Sequence, residues 1–112
     1  MQVSKRSQNH ITIVRVRGQI NTNTAPTLER YLQEILDAGV SRLILDLEEA
    51  TYVNSSGLRV MFLICRAARQ AEDGGDLLIA RPSQVIAHAL AISGFDQAFR
   101  VYDSVDEALA GF

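Results

Sequence analysis

The stretch "TYVNSSGLRVMF", residues 51–62, decides how the rest of the chain is read. Thr51, Tyr52 and Val53 are residues that favour strands. From Leu58 onward the apolar positions fall at helical spacing, so a strand passes directly into a helix. Between them stand Asn54, Ser55, Ser56 and Gly57. Three tasks are open to the serines: to cap the helix, to attack a substrate, or to be modified. A helix needs a single cap, which Asn54 or Ser55 supplies, and Gly57 gives the turn room. Three small polar residues exceed that need. In open α/β sheets, the edge outside the strands' carboxyl ends is where function usually sits. A helix N-terminus also offers free N–H groups and about half a positive charge, so the fold tolerates a phosphate there. Adding roughly −1.5 to −2 charges at Ser55 would then change binding without unfolding the domain.

Working outward, strands and helices alternate. "HITIVRVRG" (10–18) reads as a strand closing at Gly18, with a short one before it near Val3. Leu28, Tyr31, Leu32, Ile35 and Leu36 form one apolar stripe, with Thr24 as the expected cap, Pro26 in the first turn and Gly39 as the stop. "RLILDL" (42–47) and "DLLIA" (76–80) are apolar runs suited to strands covered on both faces. The helix between them is expected over 56–73, ending at Gly74-Gly75, with Leu58, Met61, Phe62, Cys65 and Ala68 opposite a polar side of Arg59, Arg66, Arg69, Gln70 and Asp73. Ser83 caps a further helix that Gly94 ends. "FRVY" (99–102) is a short edge strand, and Ser104 with Glu107 forms a capping box for the last helix. Alternating elements with short links predict one three-layer α/β domain over 1–112, with a mostly parallel, mixed sheet of four to five strands and flanking helices.

Composition narrows the function. The chain has 112 residues, 47% hydrophobic and 21% charged, with a net charge of −2. This balance argues against nucleic acid as a partner. Lys5, Arg6, Arg15 and Arg17 precede any acid, but without interleaved aromatics they read as a solvated face. The one cysteine, Cys65, falls in an apolar helical pattern and reads as a small buried side chain. There is no signal-peptide pattern and no membrane-spanning run, so a cytoplasmic location without membrane insertion is expected. Phosphate-binding and dinucleotide loops are absent, and "VNSSG" lacks the first glycine of a nucleophile elbow. His10 and His88 belong to no cluster of metal ligands and read as structural. No cofactor and no enzymatic activity are expected.

At this point the chain resembles the STAS domain of anti-sigma factor antagonists. "VNSSGLRVMF" after "RLILDLEEATY" is similar to that family's D-S-[ST]-G-L segment following a buried strand. "GQINTNTAPTLERYL" resembles its G-E-[LI]-D-x-x-[ST]-A-P-x-L stretch, and "HALAISGFDQAFRVYDSVDEAL" resembles its closing pattern. The likeness runs from about residue 10 to 110, with three motifs in order.

The resemblance implies partner switching. The unphosphorylated antagonist would bind an anti-sigma factor that is itself a serine kinase, freeing a sigma factor. Phosphorylation of Ser55 would end binding, and a phosphoserine phosphatase would restore it. Asn54, Ser56, Gly57, Leu58 and Arg59 would form the contact surface beside the loop of Asn21, Thr22, Asn23 and Thr24, on a monomer or weak dimer. An exposed rim of Tyr52, Leu58 and Phe95 would suit a partner or a second copy. Asn21 and Asn54 stand where the family carries aspartates. Three consequences stay open: weaker repulsion of a phosphate, altered alignment for the kinase, or no phosphorylation at all. The alternative reading is a STAS accessory subunit that binds the ATPase of an ABC-type lipid transporter without phosphorylation.

Overall fold

A computed structural model describes all of the chain, Met1–Phe112. Its elements are β1 (Gln2–Gln8), β2 (Ile11–Ile20), α1 (Ala25–Asp37), β3 (Arg42–Asp46), β4 (Ala50–Val53), α2 (Ser55–Arg69), β5 (Asp76–Ala80), α3 (Gln84–Ser93), a 3-10 turn (Phe95–Gln97), β6 (Val101–Tyr102) and α4 (Val105–Ala110). The sheet has six strands in the order β1-β2-β3-β5-β6, with β4 paired to the far end of β2. Only β1 is antiparallel; the β2–β3, β3–β5, β5–β6 and β2–β4 pairs are parallel. The α/β class is as the sequence predicts, with six strands in place of four to five. β4, which contains the strand-favouring Thr51–Val53, joins β2 beyond an irregularity between Gly18 and Gln19.

Alternation places the core on both faces of the central strands. Leu43, Leu45, Leu77 and Ile79 face Leu28, Leu32 and Ile35 of α1, Met61 and Ile64 of α2, and Ile86 and Leu90 of α3. Ile44, Leu78 and Ala80 face Val105 and Ala108 of α4. This makes three layers, and one of them is thin. β1 is a full seven-residue strand joined to β2 by Asn9 and His10, both at positive φ, as a two-residue hairpin of the primed type requires. His10 is therefore an exposed turn residue rather than a strand start. No helix is long and apolar enough to cross a membrane.

Three local expectations are corrected. α2 stops at Arg69 rather than Asp73, because the chain leaves the helix in turns and Ser41 Oγ donates to the Asp73 carboxylate at 2.6 Å. The Thr24 side chain does not cap α1. It donates to the Gln19 carbonyl at 2.9 Å, while Asn21 Oδ1 accepts from the N–H groups of Asn23 and Thr24. In the last helix only the Ser104 half of the capping box forms, its Oγ accepting from the Glu107 N–H at 3.0 Å. Ser83 and Gly94 act as expected, the glycine with φ of +80°.

Cys65 is buried, and burial pushes its thiol up to about 11. Asp46, at the end of β3, has a side chain only 3% exposed and receives the Arg81 guanidinium at 2.6 and 3.2 Å, with Arg15 at 3.5 Å. Burial pushes its carboxyl up, but the hydrogen bonds from Arg81 and the Glu48 N–H, with the charges of Arg81 and Arg15, outweigh burial and leave it below its ordinary value. A depressed native pKa means that the pairing stabilises the fold above the unfolded pKa of about 3.9 and is lost as pH falls through the native value. Asp46→Asn is expected to cost roughly 1.5–3 kcal/mol at neutral pH, with the difference from wild type shrinking as the pH falls below the unfolded value and through the lowered native one. Urea denaturation across this range checks it; a deficit that persists in acid would mean the charge is not responsible.

Candidate functional site

β4 ends at Val53, paired with Ile20 of β2, and the Asn54 N–H donates to the Ile20 carbonyl at 3.2 Å. This tie sets the chain so that Asn54 is the N-cap of α2. Its Oδ1 accepts from the Ser56 and Gly57 N–H groups at 3.1 and 3.3 Å. The cap is thus Asn54, and Ser55 is free of that task. Ser55 is exposed at the first helical position, and its hydroxyl has no protein partner.

The Asn54 amide works in two directions. While its oxygen caps the helix, its Nδ2 donates to Thr22 Oγ1 at 3.2 Å, and Thr22 Oγ1 lies 3.3 Å from Ser56 Oγ. An aspartate would cap as well but has no N–H to donate. Thr22, Asn54 and Ser56 therefore lock the loop before α1 to the start of α2. Asn21 and Thr24 belong instead to their own turn, closed by the Asn21 N–H donating to Thr24 Oγ1 at 2.8 Å. The exposed Asn23 joins the site only through that turn. Arg59 is exposed one turn beyond Ser55 and pairs with no carboxylate. The first turn of α2 carries no acid, so nothing in it offsets the positive end of the helix dipole.

Two of the expected contact residues face inward. Gly57 and Leu58 are buried, so the exposed rim reduces to Tyr52, at 44% exposure, and a half-buried Phe95. Gly57 is required by close approach. A Cβ there would lie 2.6 Å from Ile20 Cγ2, 2.8 Å from Val53 Cγ2 and 3.1 Å from the Ile20 carbonyl oxygen. Gly57→Ala is expected to cost about 1–3 kcal/mol as α2 is pushed off the ends of β2 and β4. Urea denaturation reads this, and an unchanged midpoint would mean the helix shifts at no cost. Ile20 and Gln19, and the packing role of Val53, carry no sequence motif. They act through packing and backbone contacts that no motif marks.

A single mixed sheet, helices on both faces and a hydroxyl-bearing helix start beside the sheet's carboxyl edge define a compact α/β domain with a surface site rather than a deep cleft. The chain belongs to the STAS domain family, whose model matches residues 2–108. It is 34% identical over 97 residues to BtrV of Bordetella bronchiseptica, provisionally assigned as an anti-sigma factor antagonist, across 87% of this chain and 82% of BtrV. A Thermotoga maritima protein with the same provisional assignment has the same fold, with a TM-score of 0.89 at 19% identity over 97% of this chain and 92% of its own. The anti-sigma factor antagonist SpoIIAA of Bacillus has been solved unphosphorylated and phosphorylated. Its TM-scores are 0.71 and 0.72 at 14% and 15% identity, over 98% and 97% of this chain and 96% and 97% of SpoIIAA.

Proposed function

We propose that this STAS domain is an anti-sigma factor antagonist that holds a serine-kinase anti-sigma factor through the surface around the start of α2, and that phosphorylation of Ser55 ends binding. The observation that carries this reading is the division of labour between neighbours: Asn54 caps the helix, leaving the exposed Ser55 hydroxyl uncommitted. A group that the fold does not use is free to be a substrate. The Bacillus relative's two solved forms support a phosphate on this fold. The two asparagines fit as well. Each keeps its local hydrogen bonds without adding a carboxylate beside the incoming phosphate.

Binding in this scheme uses Thr22, Ser56, Arg59 and Tyr52 as the outward-facing neighbours of Ser55, on a scaffold that Gly57 and Leu58 hold from below. A phosphoserine phosphatase restores the binding form. The test is capture from native cell extract with tagged wild type and Ser55→Asp. A kinase-type anti-sigma factor held by wild type and lost by Ser55→Asp is the expected result. A transporter ATPase held equally by both would overturn the reading.

A further inference from the structure

One side of the sheet is half bare. Val105 and Ala108 of α4 pack on Ile11, Ile13, Ile44, Leu78 and Ala80, and no helix covers the ribbon formed by β1 and the later part of β2. Register places Gln2 opposite Arg17, Ser4 opposite Arg15 and Arg6 opposite Ile13. Directly paired residues share a face, so the three guanidinium groups gather on one side of the ribbon. All three arginines are exposed. Hollows of about 190 and 610 Å³ lie along it, bordered by Ser4, Arg6, Arg15 and Asp46 and by Gln2, Arg15, Arg17 and Glu49. The first acid in the chain is Glu29, so this ribbon supplies no carboxylate of its own. Arg17 meets Glu49 at 2.7 Å and Arg15 shares Asp46, whereas Arg6 has only the Gln8 amide oxygen at 3.3 Å.

The same ribbon is the end of the sheet. β1 pairs with β2 over all seven of its residues and with nothing else, so its outer edge presents unpaired peptide groups. Charge decides what suits that edge. An antiparallel pairing of β1 with β1 of a second copy, about its centre, sets Lys5 directly against Lys5, with Arg6 opposite Ser4. Like charges directly opposite are destabilising. An acidic strand reverses the sign. Its side chains alternate with the same period of two and bring carboxylates to the arginine face.

We propose that the free edge of β1 receives an extended acidic segment of a partner protein, paired strand to strand, with its alternate carboxylates beside Arg6 on the face that also carries Arg15 and Arg17. The proposal stands independently of the Ser55 reading. It is tested with a fluorescently labelled heptapeptide alternating glutamate and threonine, titrated into the full chain at low salt. Wild type is expected to bind, and Arg6→Glu to weaken binding about tenfold while remaining folded by circular dichroism. Salt at about 1 M, where screening acts within about 3 Å, is expected to weaken it as well. The same peptide N-methylated at alternate residues is expected to lose binding because it cannot complete the ladder, and hydrogen exchange is expected to slow at β1 amides. No binding by wild type, or equal affinity for the N-methylated peptide, would overturn strand pairing. A concentration-dependent dimer abolished by Lys5→Glu would give the edge to a second copy and overturn the proposal equally.

Discussion

Ser55→Asp is expected to weaken binding to the anti-sigma factor about a hundredfold, or about 2.7 kcal/mol, while the melting temperature stays at or slightly above that of wild type. The two halves of this result come from one position. At the first residue of α2, a carboxylate faces the positive end of the helix dipole, which carries no acid now, and this favours the fold by about 0.3–1 kcal/mol. In a complex the same charge is taken out of water and set against a partner surface shaped for a neutral hydroxyl, so it pays desolvation and repulsion. Ser55→Ala supplies the control. It removes a hydroxyl that makes no bond within the domain, so it should bind as wild type does and resist release by the kinase. Calorimetric titration with the purified anti-sigma factor measures both. Equal affinities for the two variants would dismiss Ser55 as the switch.

Leu58→Ala should produce the reverse pattern, a stability loss of about 2–5 kcal/mol with little change in affinity per folded molecule. Leu58 is one residue beyond Gly57, 5% exposed, and packs in the main core with Val53, Met61 and Leu47. Truncation there leaves a void under the first turn of α2, which close contact with Ile20 and Val53 prevents from collapsing freely. For a domain of this size such a loss lowers the melting temperature by roughly 10 °C or more. Thermal melts and urea titrations read it directly. A melting temperature equal to wild type, with weakened binding, would put Leu58 back on the contact surface, against its burial here.

The contrast between these variants describes how the site is built. The exposed groups proposed to meet the partner, Ser55, Arg59 and Thr22, stand on a buried floor of Gly57, Leu58, Ile20 and Val53. The Thr22–Asn54–Ser56 contacts join two loops whose residues lie up to 34 positions apart. Substitutions in the floor act through stability and those in the rim act through affinity, so one pair of measurements assigns any residue of the site to its role.

Sequence by itself determined the alternation of strands and helices, the buried runs at 43–47 and 76–80, the stops at Gly39 and Gly94, and the place of Ser55 at a helix start. These are local properties. Side-chain periodicity and the backbone groups left free at a helix end act over three or four residues, so nearby sequence suffices. Tertiary structure alone decided the rest. The strand-favouring residues of β4 mark it locally, but its pairing with the end of β2, beyond the register shift after Gly18, is a long-range contact. Thr24 looked like a side-chain cap of α1, but its hydroxyl is taken up by the Gln19 carbonyl, and Asn21 Oδ1 closes the turn before the helix on the Asn23 and Thr24 N–H groups. Leu58 looked equally suited to rim or core until α2 settled on Ile20 and Val53, which buried it. Asn54 rather than Ser55 became the cap of α2 because the bond to Ile20 fixes where the chain turns, and that choice, made by residues more than thirty positions apart in sequence, is what leaves the Ser55 hydroxyl free.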